Sequence, residues 1–279
     1  MYLLKRIRPI WIILFLLALT VVVWAAAELS GQANKSAADA GASSADMEMA
    51  SLDTIKPSKK APDVDWKKEQ QIRKQLEDQD KAYKPLVNNA RKEADSKGIV
   101  SDPTRKQLLS AAGKFKETSY AYADVWEKGK CTTRAKLARE AGDTRVASAD
   151  LIASGADSKK ADALKAQQAK MNEARNIYAK EAKANDELSP ADKAAIKTSV
   201  MPRAQKLVGD TAGLVTQITK LLDQVKSQAS PAGLLGSLSS GSGSSPTSLL
   251  SPVTSLLSLA QGLASNAKSL VSDTTLLAQ

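Results

Sequence analysis

The amino-acid sequence predicts an all-α protein: an N-terminal single transmembrane helix, an elongated antiparallel bundle of three to five helices, and a C-terminal amphipathic helix. Three observations predict this fold. A long apolar run lies close to the N-terminus. The middle of the chain is dominated by Ala, Lys, Glu and Gln, which are good helix formers. Its apolar residues recur at steps of three and four, the period of an amphipathic helix.

The N-terminal segment 1–29 has the features of a membrane anchor. Residues 10–27 are uncharged and almost wholly apolar, and a helix of about 20 such residues crosses a hydrocarbon core of ~30 Å. Basic residues precede the run and mixed charges follow it, which predicts a cytoplasmic N-terminus and an extracytoplasmic bulk. The anchor residues are Ile10, Trp11, Leu14, Leu17, Val22 and Trp24, and the charges that set the topology are Lys5, Arg6 and Arg8.

The same segment also fits a cleaved signal peptide. Ala25 and Ala27 occupy the small-residue positions before a cleavage site, and the apolar stretch ahead of them has a length at the upper limit for a signal peptide. Two localisations therefore stay open: a single-pass protein of the cell membrane, or a protein secreted after cleavage at Ala27. In both, everything after residue 30 is exported.

Residues 30–62 are rich in Ala, Ser, Gly and Asp and contain little apolar bulk. This composition predicts a flexible stalk that lifts the next domain off the membrane.

Residues 63–228 are predicted to form a basic helical bundle that folds alone, because each helix has its own start and stop signals. Asp102-Pro103 marks a helix start, and Pro202 is expected to kink or divide the last long helix. Short polar turns between long amphipathic helices favour antiparallel neighbours. The first helix carries an apolar stripe interrupted by the polar Asp80; the stripe residues are Ile72, Leu76, Tyr83, Val87, Ala90 and Ala94.

The C-terminal part of the chain has two sections. Residues 229–246 are rich in Gly, Ser and Pro, which is typical of a linker. Residues 247–279 form an apolar, nearly uncharged helix that must bury its leucine face on its own bundle, a partner or a lipid surface. The predicted assembly face consists of Leu249, Val253, Leu256, Leu257, Leu263 and Leu270.

Composition excludes several kinds of site. The chain has no His and a single Cys, Cys131, so His-based catalytic dyads and intrachain disulfides are absent. A lone exported thiol is either buried or pairs with another chain. No residue is assigned a catalytic, cofactor-binding or metal-binding role. Gly209 and Gly213 have the GxxxG spacing, which predicts close packing of their helix against a neighbour.

The net charge of +10 bears on the partners. A basic surface often binds nucleic acid, but export makes nucleic acid an unsuitable partner, and anionic lipid or an acidic wall polymer fits better. The sequence thus predicts a non-enzymatic, membrane-anchored scaffold or accessory subunit of a bacterial envelope complex, with envelope proteins or a second copy as partners. The alternative is an exported helical protein that binds lipid or an envelope polymer.

Overall fold

The computed structural model describes residues 4–57, 63–228 and 246–279; for residues 4–26 and 246–247 it describes the backbone alone. These residues form helices and turns and contain no β-strand, which confirms the all-α class. The helices are α1 (Leu4–Leu52), α2 (Trp66–Lys97), α3 (Asp102–Lys128), α4 (Thr132–Ser154), α5 (Ser158–Ala184), α6 (Pro190–Ala195), α7 (Met201–Gln228) and α8 (Pro246–Leu277).

Local signals explain several helix boundaries. The Asp65 side chain accepts a hydrogen bond from the backbone N–H of Lys68 at the start of α2. Gly98 ends α2 with φ of 71°, a left-handed conformation that favours glycine. A π-helical turn, Ile196–Val200, joins α6 to α7 and ends two residues before Pro202. The division predicted at this proline is therefore a local change of helical pitch, since proline offers no N–H to the regular ladder.

The flexible stalk predicted for residues 30–62 is wrong over most of its length. Residues 30–52 are helical and belong to α1, which packs against α2, α4, α7 and α8. Small side chains allow this close packing: a Cβ at Gly41 would lie 2.5 Å from Cγ1 of Ile152. The buried residues of this part of α1 include Leu29, Ala33, Ala37, Ala40 and Met47.

Helix α8 also belongs to the bundle. Val253, Leu256, Leu263 and Leu270 are fully buried and Leu249 nearly so, while Leu257 is half-buried against the same core. This face packs on α5 and α7 of the same chain, so it is not a free assembly face. The buried leucines of α8 belong to one hydrophobic cluster with residues of α1 and of 63–228. Residues 63–228 therefore share their core with both of these helices.

The described helices therefore form a bundle larger than the three to five helices predicted. Their directions follow from contacts at known positions. Arg203, near the start of α7, pairs with Asp53, just after the end of α1, so these two helices run antiparallel. Helices α5 and α8 run parallel, because Lys165 contacts Ser258 and Arg175 contacts Asp273 further along both helices. We call the two ends of the bundle the Leu29 end and the Leu52 end, after the residues of α1 that lie there.

Among the residues whose side chains are described, no helix combines the length and apolar character needed to cross a membrane. The predicted anchor and topology residues lie outside that set, although the backbone of α1 continues through them. Ala25 also lies outside it, whereas Ala27 is exposed. Residues 229–245 of the predicted linker lie outside the described residues. The anchor and topology residues concerned are Lys5, Arg6, Arg8, Ile10, Trp11, Leu14, Leu17, Val22 and Trp24.

Candidate functional site

The most unusual feature of the core is a set of three buried arginines that converge on the end of α1. Arg134, Arg145 and Arg175 are each at most 1% exposed. Charged side chains are almost never fully buried unless they are paired. Each of the three bonds to the stretch Glu48–Lys56, and we call them the arginine clamp.

Arg145 of α4 joins α1 to α2. Its Nε lies 3.0 Å from Oε2 of Glu48, and its Nη2 lies 2.9 Å from Oδ1 of Asp80. The guanidinium also lies over the rings of Tyr83 and Phe115, with its carbon 4.5 and 4.1 Å from the two centroids. One cation is thus shared by two carboxylates and two aromatic faces.

Arg175 of α5 joins α1 to α8. Its Nε donates to Asp273 at 2.8 Å, and its Nη1 donates to Oγ of Ser51 at 3.1 Å. Asn176 donates to the second carboxylate oxygen of Asp273 at 3.0 Å. The buried Asp273 is therefore satisfied on both oxygens, and α8 is tied to α5 by charge as well as by its leucines.

Arg134 of α4 holds the chain that follows α1. Its Nε donates to the carbonyl oxygen of Lys56 at 3.0 Å, and its Nη1 pairs with Glu187 at 2.7 Å. The Tyr178 hydroxyl donates to the carbonyl of Thr54 at 2.9 Å. A fourth arginine, Arg73, donates to the carbonyl of Ile55 at 3.1 Å. The backbone leaving α1 has no helical partners for these carbonyls, and the side chains supply them.

The burial of Glu48 has a consequence for pH. Desolvation raises the pKa of Glu48 from 4.5 to about 8, while Arg145 opposes the shift. Between these two values the folded state binds more protons than the unfolded state, so the free energy of unfolding falls as the pH rises through this window. We expect Glu48→Gln to flatten that slope, as measured by urea unfolding at a series of pH values. Glu77→Gln, at an exposed position, is the control, and equal slopes in both variants would contradict the assignment.

A cleft of about 480 Å³ opens between α1, α2 and α7. Gly209 and Gly213 line it, and a Cβ at either would meet nothing within 4 Å. The GxxxG spacing therefore opens a cleft here, and the prediction that it packs closely on a neighbour is wrong. The charges that line the cleft are already paired, Arg91 with Asp39 at 2.6 Å and Lys206 with Asp210 at 2.6 Å.

Cys131 lies at the turn between α3 and α4. Its side chain is buried, and Sγ donates a long hydrogen bond of 3.5 Å to the carbonyl of Gly129. Burial raises the pKa of the thiol, which lowers the fraction of reactive thiolate. Of the two alternatives for Cys131, the structure agrees with burial. The thiol is not exposed on the surface, where an intermolecular disulfide would form. Among the described residues no group of three or more His, Cys, Asp or Glu could hold a metal ion.

Sequence reasoning missed the arginine clamp, although a signal for it exists. Arg175 occupies a position in the apolar stripe of α5, between Met171 and Tyr178, where a solvated residue does not belong. Arg145 likewise follows Ala138 and Ala141 on the buried side of α4. A charged residue at a core position of an amphipathic helix indicates a buried ion pair.

Comparison with protein-family models, with curated proteins and with solved structures finds no match for this chain.

Proposed function

We propose that this protein is a non-enzymatic, membrane-anchored scaffold or accessory subunit of a bacterial envelope complex, with its bundle outside the cytoplasm. The observation that carries the proposal is the continuity of α1. The apolar run 10–27 and the buried residues that begin at Leu29 belong to one uninterrupted helix, Leu4–Leu52. A retained anchor would therefore enter the centre of the bundle directly.

Because α1 is continuous, the proposed attachment of the bundle to the membrane is rigid. Leu29, 4% exposed, is the first described residue of the core, and it follows Ala27 by only two positions. Two residues of helix span about 3 Å, so no flexible spacer separates the anchor from the bundle. The arginine clamp holds the opposite end of the same helix. A rigid connection of this kind suits a protein that presents a surface at a fixed height above the membrane and in a fixed orientation.

The chemistry of the described residues favours a structural role over catalysis. The chain has no His, and the carboxylates of the clamp are enclosed and paired with arginine. The cleft beside Gly209 and Gly213 is lined by ion pairs, small side chains and Gln217, and Leu214 is the large apolar residue of its lining. That lining suits neither an apolar ligand nor a nucleophile.

Analysis of the full-length protein expressed in bacteria tests the proposal. We expect it in the membrane fraction after a carbonate wash, with Met1 retained. A soluble exported protein that begins at Glu28 would contradict the anchor and support the secreted alternative. Because Leu29 is the first core residue, that cleaved form would keep the same bundle.

Labelling with a membrane-impermeant thiol reagent tests the topology. In a Cys131→Ser background we expect Lys206→Cys, whose side chain is 76% exposed, to react in intact spheroplasts. Ser44→Cys is the matched control, because Ser44 is fully buried and should stay unlabelled until the protein is denatured. Reaction of Lys206→Cys only after lysis would overturn the extracytoplasmic placement.

A further inference from the structure

The turns at the Leu29 end of the bundle lie close to the point where α1 leaves it. A Cβ at Gly31 would lie 3.5 Å from Cα of Gly98, in the turn between α2 and α3. Asn34 holds two turns to α1: its Nδ2 donates to the carbonyl of Gly98 at 2.5 Å, and its Oδ1 accepts from the N–H of Ala156 at 2.7 Å. The α2–α3 and α4–α5 turns are therefore fixed beside residues 31–34.

The α2–α3 turn exposes an apolar tip. Ile99 is 59% exposed, more than any other large hydrophobic residue whose side chain is described. A single exposed isoleucine is ordinary on a protein surface. Ile99, however, lies at the Leu29 end of the bundle, from which the apolar run 10–27 extends. This position would bring it close to the membrane.

The height of this turn follows from helix geometry. Gly31 lies four residues after Ala27, which corresponds to about 6 Å along α1. The headgroup layer of a bilayer is roughly 5 to 8 Å thick on each side of the hydrocarbon core. With the apolar run in the core, the backbone beside Gly31 falls within the headgroup layer.

The charge around the turn is suited to lipid phosphate. Lys97 and Lys159 are exposed and make no ion pair within the described part of the chain. The nearby carboxylates are engaged: Asp95 pairs with Lys35 at 2.7 Å, and Asp102 with Arg105 at 3.5 Å. Asp157 caps α5 by accepting from the N–H of Lys160. Glu93 accepts a hydrogen bond from the N–H of Ser101 at 2.7 Å within the α2–α3 turn. Lys97 and Lys159 are thus left as exposed cations without an ion pair beside this turn.

We propose that the α2–α3 turn is a second membrane contact, in which Ile99 enters the headgroup layer and Lys97 and Lys159 bind anionic lipid headgroups. The contact rests on the proposed anchor. It would fix the rotation of the bundle about α1 as well as its height, because a single helix alone leaves that rotation free. Basic residues near an anionic surface each contribute a modest attraction, and an apolar residue at the interface adds to it.

The full-length protein in lipid vesicles tests the contact. The vesicles contain phosphatidylethanolamine and phosphatidylglycerol, and the background is Cys131→Ser. An environment-sensitive fluorophore is attached at Ile99→Cys or, as a matched control, at Ile177→Cys. Ile177 is also an exposed isoleucine, but it neighbours Tyr178, which bonds the chain after α1 at the Leu52 end. The two probes thus report opposite ends of the same bundle.

We expect the probe at position 99 to shift to shorter wavelength and to lose quenching by aqueous iodide, while the probe at 177 stays accessible. If the protein floats with the vesicles but both probes stay accessible, the second contact is overturned and the anchor stands. If the protein does not float with the vesicles, the anchor itself fails.

The lipid preference has its own test. Lys97→Glu, and vesicles of phosphatidylcholine alone, should each restore iodide quenching at position 99. Unchanged shielding under both conditions would overturn the role of the lysine and of anionic lipid.

Discussion

Replacing Arg145 by Met should lower the free energy of unfolding by about 3 to 5 kcal/mol, the usual effect of removing one partner from a buried ion pair. Arg145 is fully buried and is shared by the carboxyl groups of Glu48 and Asp80, so its loss leaves both groups enclosed without their partner. Methionine keeps most of the aliphatic volume between the rings of Tyr83 and Phe115. The change therefore reports mainly on charge. Urea unfolding followed by circular dichroism measures it.

Arg139 offers a matched control on the same helix. It also bridges two carboxylates, Asp124 and Glu127, but its side chain is 36% exposed. Exposed ion pairs contribute about 0 to 1 kcal/mol, so Arg139→Met should change stability little. Adding Glu48→Gln to Arg145→Met should recover part of the loss, because a neutral amide costs less to enclose than an ionisable carboxyl that has lost its arginine. Equal effects at positions 139 and 145 would contradict the electrostatic role of the clamp.

Replacing Leu256, Leu263 and Leu270 together by Ser should unfold the bundle. Each is fully buried against α5 and α7, and truncating one buried Leu to Ala costs about 2 to 5 kcal/mol. Three such losses are comparable to the roughly 5 to 15 kcal/mol that stabilises a typical domain. A single Leu263→Ala variant should stay folded with a lower urea midpoint, as measured by circular dichroism.

The same variants separate an intramolecular role of α8 from the assembly role that its leucine face predicts. Leu257→Ala is the control, because Leu257 is only half-buried and its truncation should have a smaller effect on the urea midpoint. An assembly face would instead give Leu263→Ala an unchanged midpoint and a smaller particle by light scattering. That result would contradict the packing of α8 on its own chain.

The rigid connection between the proposed anchor and the bundle depends on residues 30–52 of α1. Their composition alone predicts a flexible stalk. Residues 30–52 have the Ala, Ser and Gly content of a linker, yet most of them are buried, and a four-three repeat runs through the buried positions. The repeat is hard to see because its members are small and some are polar. Each small side chain buries little apolar area, so a hydropathy pattern does not reveal it. Small side chains nevertheless allow helices to approach closely, and this close packing buries them. The repeat comprises Ala33, Ala37, Ala40, Ser44, Met47 and Ser51.

The sequence by itself determined the helical class and much of the core of individual helices. The stripe predicted on α2 is buried in full, from Ile72 to Ala94, because periodicity is a local property that each helix carries alone. Even the polar interruption at Asp80 was visible there. The start of α3 at Asp102-Pro103 was equally local.

The tertiary structure alone decided which charges are buried and which segments share the core. Arg145 and Glu48 are 97 residues apart in sequence, and no local pattern links them. The helical repeat of residues 30–52 and the leucine face of α8 each required a surface to cover them, and only the assembled bundle provides it. Burial depends on the sum of many long-range contacts, whereas helix formation depends on neighbours within one turn; that difference separates what could be predicted here from what could not.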